Sequence, residues 1–528
     1  MNHYFTIFLL FIPYSIQANT YYVAPNGNNA SQGTENQPWK TIQKAANTLT
    51  AGDTVLIKAG IYNERVIVKN SGTLHNYIVY THYRNDQVII DGTGISWGSN
   101  WNGLFDISDK NYIQVIGLTL KNSDYAAVFI DNSTHIIIKN NTTYNTYSSG
   151  IGVWNSNTVT LENNEVELAC NDGGEECISI ANSNNCDILN NNIHNNGPGT
   201  NGGEGIDIKE GSFNINIYQN TVHHLNNRLG IYADAWDLHT HHINIYQNTV
   251  HHCSESGIAM ASESGGLLEY VTIFNNIVYN NKYGGIELGA WSDIGFTGLK
   301  PIKHIQIINN TCYQNGSYNN GWGYGIVIDN PDAEDVTIRN NICSNNSAQI
   351  AIKQIKSQGV VDHNLFYGNN TASGTLYGDY SILQAPLFVD SSTDNFHLRS
   401  DSPAIDNGNS IDAPNVDFEN NNRPSGMDYD IGAYEYTSVL NTNDNILPKV
   451  TIKLYPNPAK NKITVKINGL EEQNYILKLM SLKGQLLKTI IMKNNIIIIK
   501  TDELSTGMYI LKIVSEDTIV STKKMIIQ

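Results

Sequence analysis

Between Ile113 and Phe366 the chain repeats itself with a period in the twenties, and that period dictates what it can fold into. Seven strand openings of Gly-Ile type align Ile151, Ile178, Ile206, Ile231, Ile258, Ile286 and Ile326 in one column, with steps of 27, 28, 25, 27, 28 and 40 residues. A second column carries the pairs Asn163-Asn164, Asn191-Asn192, Gln219-Asn220, Gln247-Asn248, Asn275-Asn276, Asn309-Asn310 and Asn340-Asn341. The heptapeptide YQNTVHH occurs twice, at Tyr218 to His224 and at Tyr246 to His252. Short β-branched strands separated by Asn-rich turns at this period form one coil per repeat of a parallel solenoid. Successive coils lie ~4.8 Å apart, so equivalent residues stack directly over one another. Asn adopts the left-handed turn conformation at little cost, and stacked amides bond from coil to coil. The ladder is therefore read as structural rather than catalytic.

Composition narrows the function. Of 528 residues only 15% are charged, and the net charge of -17 leaves no basic footprint for nucleic acid. An apolar run from Tyr4 to Ile16 followed by Ala18 reads as an export signal over residues 1–18. It is shorter than the ~20 residues a membrane-spanning helix needs, and no later segment is long and apolar enough to anchor the chain. The six cysteines, Cys170, Cys177, Cys186, Cys253, Cys312 and Cys343, are spread too widely for the framework of a small secreted domain and are expected as isolated buried thiols.

The stretch from Tyr21, YYVAPNGNNASQGTENQPWKTIQKAANTLTAGDTVLIKAG, predicts a strand, a loop and an amphipathic helix near Ile42 to Leu49 that covers the open end of the stack. It resembles the N-terminal segment of secreted right-handed parallel β-helix proteins, including family 9 pectate lyases and β-helical β-xylosidases. The resemblance implies an all-β chain built as a right-handed parallel β-helix of the pectin-lyase type over residues 19–376. The stretches APLFVDSSTDNFHLRSDSPAIDNG and NNRPSGMDYDIGAYEY resemble the segment that closes many such proteins, here 377–440, and residues 441–447 read as a linker. Residues 448–528 alternate apolar and polar in several strands, which predicts a small antiparallel sandwich. Within them Leu454-Tyr455-Pro456-Asn457-Pro458, Gly507-Met508-Tyr509 and Lys523-Lys524 are similar to the type A sorting domain of the type IX secretion system of Bacteroidota. That similarity implies the type IX machinery as a partner, export through the outer membrane, and a secreted or surface-attached protein, expected as a monomer.

Side chains alternate along a strand, so the residues between the inward isoleucines form outward columns. Asp207, Tyr232 and Glu287 fall in one, and Lys209 and Asp234 in the next. Trp236, Asp237, His239, Glu263 and Trp291 follow the strand ends. Ionisable groups thus gather on one face of the middle coils, whereas the outer coils carry small neutral residues there. Such a face with aromatic platforms suits a polysaccharide or oligosaccharide, with Tyr232, Trp236, His239, Glu287 and Trp291 as binding residues and Asp234, Glu263, Lys209, Asp207 and Asp237 as the chemical groups.

Two chemistries compete. Hydrolysis needs a carboxylic acid and a carboxylate; Asp234 and Glu263 are the favoured pair, with Lys209 holding Asp234 ionised and Asp237 or Asp207 as substitutes. Gly230-Ile231-Tyr232-Ala233-Asp234 and Ser262-Glu263-Ser264-Gly265 resemble the stretches that carry nucleophile and acid in β-helical β-xylosidases, which implies Asp234 as nucleophile and Glu263 as acid. Elimination from a uronate, or its epimerisation, would use Lys209 as base and calcium held by Asp207, Asp234 and Asp237. Against it, these coils lack the adjacent aspartates of family 9 pectate lyases, and a lysine among carboxylates stays charged. A third reading is a non-catalytic glycan-binding or adhesive β-helix. The histidines His223, His224, His239, His241, His242, His251 and His252 are read as stacked rather than metal-binding, because neighbours on a strand face opposite sides. Glu175 and Glu176 are expected in a solvated loop.

Overall fold

The computed structural model describes residues 18–96, 101–171, 174–199, 202–316, 323–346, 350–354, 359–368, 377–437, 451–468, 475–481, 486–492, 496–502, 504–515 and 518–528. The expected export signal and the 441–447 linker lie outside them, apart from Ala18. The chain divides into two units, Met1–Tyr436 and Thr437–Gln528.

The first unit is a parallel β-helix. Its described strands form three long sheets in which each strand pairs with its counterpart one coil away. The connections follow the right-handed sense of parallel crossovers. One coil reads Ile206–Lys209, Phe213–Tyr218, Thr221–His223, one strand in each sheet, before the next begins at Ile231. The strand-opening column holds in register: Ile151 pairs with Ile178, and so on through Ile206, Ile231, Ile258, Ile286 and Ile326. These isoleucines are fully buried in a core that runs the length of the unit.

Asn turns explain why the register is so strict. The two members of each turn pair have separate tasks. The first, such as Gln247 or Asn275, has φ of +54° and makes the corner. The second points inward: Asn248 donates from Nδ2 to Asn276 Oδ1 at 3.0 Å and to Ile217 O at 2.8 Å, while its own Oδ1 accepts the main-chain N–H of Asn220 at 3.0 Å. The ladder runs unbroken through Asn141, Asn164, Asn191, Asn220, Asn248, Asn276, Asn310, Asn341 and Asn364. In one coil the pair is Asn190-Asn191 rather than Asn191-Asn192, since Asn190 takes the positive φ and Asn192 opens the next strand.

The helix at the N-terminal end is shorter than expected, Ile42–Ala46, ending at Asn47 and leaving Leu49 buried in the following turn. Thr41 Oγ1 caps it, and Glu64 accepts the N–H groups of Ile42 and Gln43 at 2.8 and 2.9 Å. Carboxylate acceptance at this end satisfies donors that the helix itself leaves unpaired.

Residues 385–436 lie along the flank of the later coils. Phe396 and Tyr434 pack on Ile277, Tyr279 and Tyr313. The outward turn residues clasp this segment: Gln247 Nε2 donates to Asp417 O at 2.7 Å, Asn309 to Asp430 O at 2.9 Å and Asn340 to Asn409 O at 2.8 Å. Arg423 and Glu435 form a fully buried ion pair at 2.7 Å within it. The six cysteines are buried and none is in a disulfide.

In the second unit the described strands form a three-stranded and a four-stranded antiparallel sheet. Ile463, Val465, Leu477, Leu479, Leu511 and Met525 make their shared core, as the alternation predicts.

Asn248→Ala would take from the core the acceptor of the Asn220 N–H and side-chain amide and the amide that donates to the Ile217 carbonyl, while Asn276 Oδ1 keeps the main-chain N–H of residue 248. An unsatisfied buried group costs about 1–3 kcal/mol, so a loss of roughly 3 kcal/mol in unfolding free energy is expected from denaturant titration. Asn244→Ala, which removes one half-exposed bond to Asn216, should stay within about 1 kcal/mol.

Candidate functional site

The candidate residues come from one sheet and the turns around it. Asp207 pairs with Tyr232, Tyr232 with Ala259, and Ala259 with Glu287 in successive coils, so the first outward column stands as read. This wall is deep rather than exposed: Asp207, Tyr232, Asp234 and Glu287 are all buried.

Asp234 and Glu263 are brought together by main-chain bonds across coils. The strand ends at Asp234, whose Oδ1 accepts the N–H of Trp236 at 2.7 Å. The Trp236 carbonyl then accepts from Ser264 and Gly266, at 3.1 and 2.8 Å, tying the Glu263 loop to the coil before it. Gly266 is required there, because a Cβ would lie 2.4 Å from both the Ala235 and the Leu238 carbonyl oxygens. Tyr232 completes the link by donating its hydroxyl to Glu263 Oε1 at 2.5 Å.

Electrostatics singles out Asp234. Burial, followed by the charge of Glu263, pushes Asp234 up to about 8, against the opposing Trp236 N–H and the more distant Lys209. Asp234 is therefore protonated near neutral pH. Burial, reinforced by Glu176 and Asp234, also drives Asp207 well above the carboxylate range, and its Oδ1 has no hydrogen-bond partner.

Lys209 does not pair with Asp234 as expected. Its ammonium sits 2.9 Å from Glu176 Oε1 and 3.0 Å from Glu175 Oε2, and 5.7 Å over the Trp154 ring. Burial alone would lower its pKa, but Glu176, Asp207 and Glu175 outweigh it and hold the lysine charged. The expectation of a solvated Glu175-Glu176 loop is thereby overturned: Glu176 is buried and Glu175 half-buried, because their loop folds back over the lysine.

The remaining predicted residues divide. Trp291 packs against Tyr232, ring centroids 5.9 Å apart, and Glu287 accepts the Ser256 hydroxyl while burial raises it to about 7. Trp236 presents an exposed indole beyond the strand end. Asp237 is carried out into solvent, because Trp236 turns the chain with φ +40°. Asp207, Asp234 and Asp237 are therefore not a converging calcium set. Among the described residues no three carboxylates, imidazoles or thiols are placed to hold a metal ion. His239 leaves the site as well, bonding Glu269 at 2.9 Å at the edge of the neighbouring sheet.

Histidine stacking holds, with one correction. His223 and His251 rings lie 5.0 Å apart and nearly parallel, as do His224 and His252 at 4.8 Å. Adjacent histidines do not face opposite sides, because His224 and His252 adopt positive φ and bring their Nδ1 atoms to 2.7 Å from those of His223 and His251.

Sequence reasoning missed Glu204, Arg228, Glu255 and Tyr283. They occupy the one or two positions before each Gly-Ile opening, and a third aligned column at those positions would have found them. With Leu229, Ser256, Glu287, Trp291, Tyr324 and Asp329, Glu255 and Tyr283 line a cleft of about 440 Å³ beside Tyr232.

Two opposed pH limbs follow. A buried acid with a raised native pKa favours the fold fully below its unfolded value, near 4, and that contribution is lost as pH rises through about 8 for Asp234. Burial, and then neighbouring imidazoles, lower His223 to about 4 and His251 to about 3, so their contribution is present above 6.5 and lost as pH falls toward those values. Melting temperature against pH should peak between the limbs. Asp234→Asn should flatten the alkaline limb and His251→Gln the acid limb. An Asp234→Asn curve parallel to wild type throughout would mean that Asp234 is already ionised in the fold.

Comparison with known proteins places this architecture. The profile described as "Pel9A-like, right handed beta helix region" matches residues 21–370. The secretion system C-terminal sorting domain matches residues 453–528, which marks the chain for type IX export to the cell surface or the medium. The chain is 27% identical to the uncharacterized protein YwoF of Bacillus subtilis over 443 residues, 72% of this chain and 91% of that protein. It is 29% identical to pectate lyase PEL9 of Emericella nidulans over 160 residues, 28% of this chain and 39% of that one. The solved structure of XylC with xylose superposes with a TM-score of 0.51 at 12% identity, over 79% of this chain and 98% of that one, a likeness of fold alone. The chain belongs to the Pel9A-like right-handed β-helix family and carries a C-terminal secretion sorting domain.

Proposed function

We propose that this is an exported enzyme that hydrolyses glycosidic bonds, with Asp234 as the acid and Glu263 as the carboxylate. The observation that carries this reading is the asymmetry of the pair: a buried Asp234 that keeps its proton near neutral pH, beside a Glu263 whose Oε1 accepts the Tyr232 hydroxyl. Asp234 gives its proton to the glycosidic oxygen as the bond to the anomeric carbon breaks. Glu263 either attacks that carbon or takes a proton from the water that does. These roles are the reverse of those implied by the β-xylosidase resemblance. The exposed Trp236 and the Trp291 ring offer sugar-stacking surfaces on either side.

Elimination draws support from the stretch shared with pectate lyase PEL9. Its base would be Lys209, whose lone pair is occupied by a proton held between Glu175 and Glu176. A purely adhesive role would leave the raised pKa of Asp234 without use.

Incubated with a panel of polysaccharides and oligosaccharides, the protein should release reducing ends without the ultraviolet absorbance of an unsaturated product. Asp234→Asn and Glu263→Gln should each lower kcat by about 10²–10⁴-fold with the fold retained by circular dichroism. Unsaturated products, or undiminished cleavage by Asp234→Asn, would overturn the assignment.

A further inference from the structure

We propose that the cleft beside the Asp234 and Glu263 pair is a subsite for a glycosyl unit that carries no carboxylate, seated against Trp291 and hydrogen-bonded by Glu255, Glu287 and Asp329. This rests on the hydrolytic reading of the pair and adds to it the substrate class.

Charge decides the class. Three of the described lining residues are carboxyl side chains, three are aromatic (Tyr283, Trp291, Tyr324), and none is Lys, Arg or His. The nearby cations stand outside the described lining and are directed to other groups. Lys209 is held by Glu175 and Glu176, Arg228 Nε lies 3.6 Å from Glu204 Oε1, and Lys300 Nζ donates to the Ala290 carbonyl at 2.6 Å. A uronate entering this cleft would bring a further anion into a wall of acids, with no cationic side chain in the described lining to offset its desolvation. Sugar hydroxyls, in contrast, are donors that carboxyl oxygens accept well.

Shape supports a sugar ring. The Trp291 indole lies over Gly289, where a Cβ would come within 2.7 Å of the ring, so glycine permits its position. Tyr232 fixes the indole from one side, and a cleft of about 440 Å³ is within the range of small-molecule sites. The same Tyr232 that braces Trp291 donates to Glu263. A glycan whose scissile bond meets Asp234 and Glu263 therefore runs its neighbouring unit into this cleft.

The test titrates full-length Asp234→Asn protein, which separates binding from turnover, with three oligosaccharides of equal length: xylose-based, glucosamine-based and galacturonate-based. Each is measured by calorimetry with chelator and with added calcium. Binding of the neutral or the amino oligosaccharide and not of the uronate is expected, as is a loss of about tenfold or more on Trp291→Ala. Uronate binding as tight as neutral binding, with or without calcium, overturns the proposal. So does no binding of any of the three, or an unchanged affinity on Trp291→Ala. If the neutral glycan binds yet wild-type protein does not cleave it, the subsite stands and the hydrolytic reading alone falls.

Discussion

In-register stacking of parallel coils is the constraint on which the rest of this molecule depends. Each coil sits ~4.8 Å from the next, and the inward asparagine amides bond both to the next amide and to the main chain of the coil before. A slip of one residue would break all of these bonds together and turn the isoleucine column out of the core. Long-range geometry thereby becomes as definite as local geometry, and residues two dozen positions apart act as neighbours.

The same stacking generates the electrostatics of the candidate site. Carboxyls on adjacent coils cannot all ionise at that spacing in a buried wall, so they hold protons or find a cation. Lys209 pairs directly with Glu175 and Glu176, and its charge does not offset the burial that keeps protons on Asp207 and Asp234. Where like residues are aromatic, stacking is favourable instead: Tyr218, Tyr246 and Phe274 lie 4.8–4.9 Å apart and nearly parallel. One repeat thus produces a rigid ladder on one flank and a strained acid cluster on another.

The columns were legible in the sequence because strand alternation and a fixed period are sufficient to align them. The Asp207 and Tyr232 neighbours, the inward isoleucines and the antiparallel tail all follow from those two rules. Beyond the unread column before the Gly-Ile openings, what escaped lies in turns, where length varies and no period applies. The Glu175-Glu176 loop reaches back over Lys209 through its own backbone course, which strand alternation does not encode, so the columns alone point to Asp234 as the lysine's partner. Asp237 left the site because a single positive φ at Trp236 redirects the chain. The lateral path of residues 385–436 depends on outward turn amides such as Gln247 and Asn309, which look the same in sequence as their inward neighbours.

The central claim is that Asp234 holds a proton beside Glu263 inside this wall. Infrared difference spectroscopy, wild type minus Asp234→Asn, reads that proton directly through the carboxylic C=O stretch. The account predicts a protonated-carboxyl band at neutral pH that disappears as pH rises through about 8. A difference spectrum showing only carboxylate bands at neutral pH would contradict it.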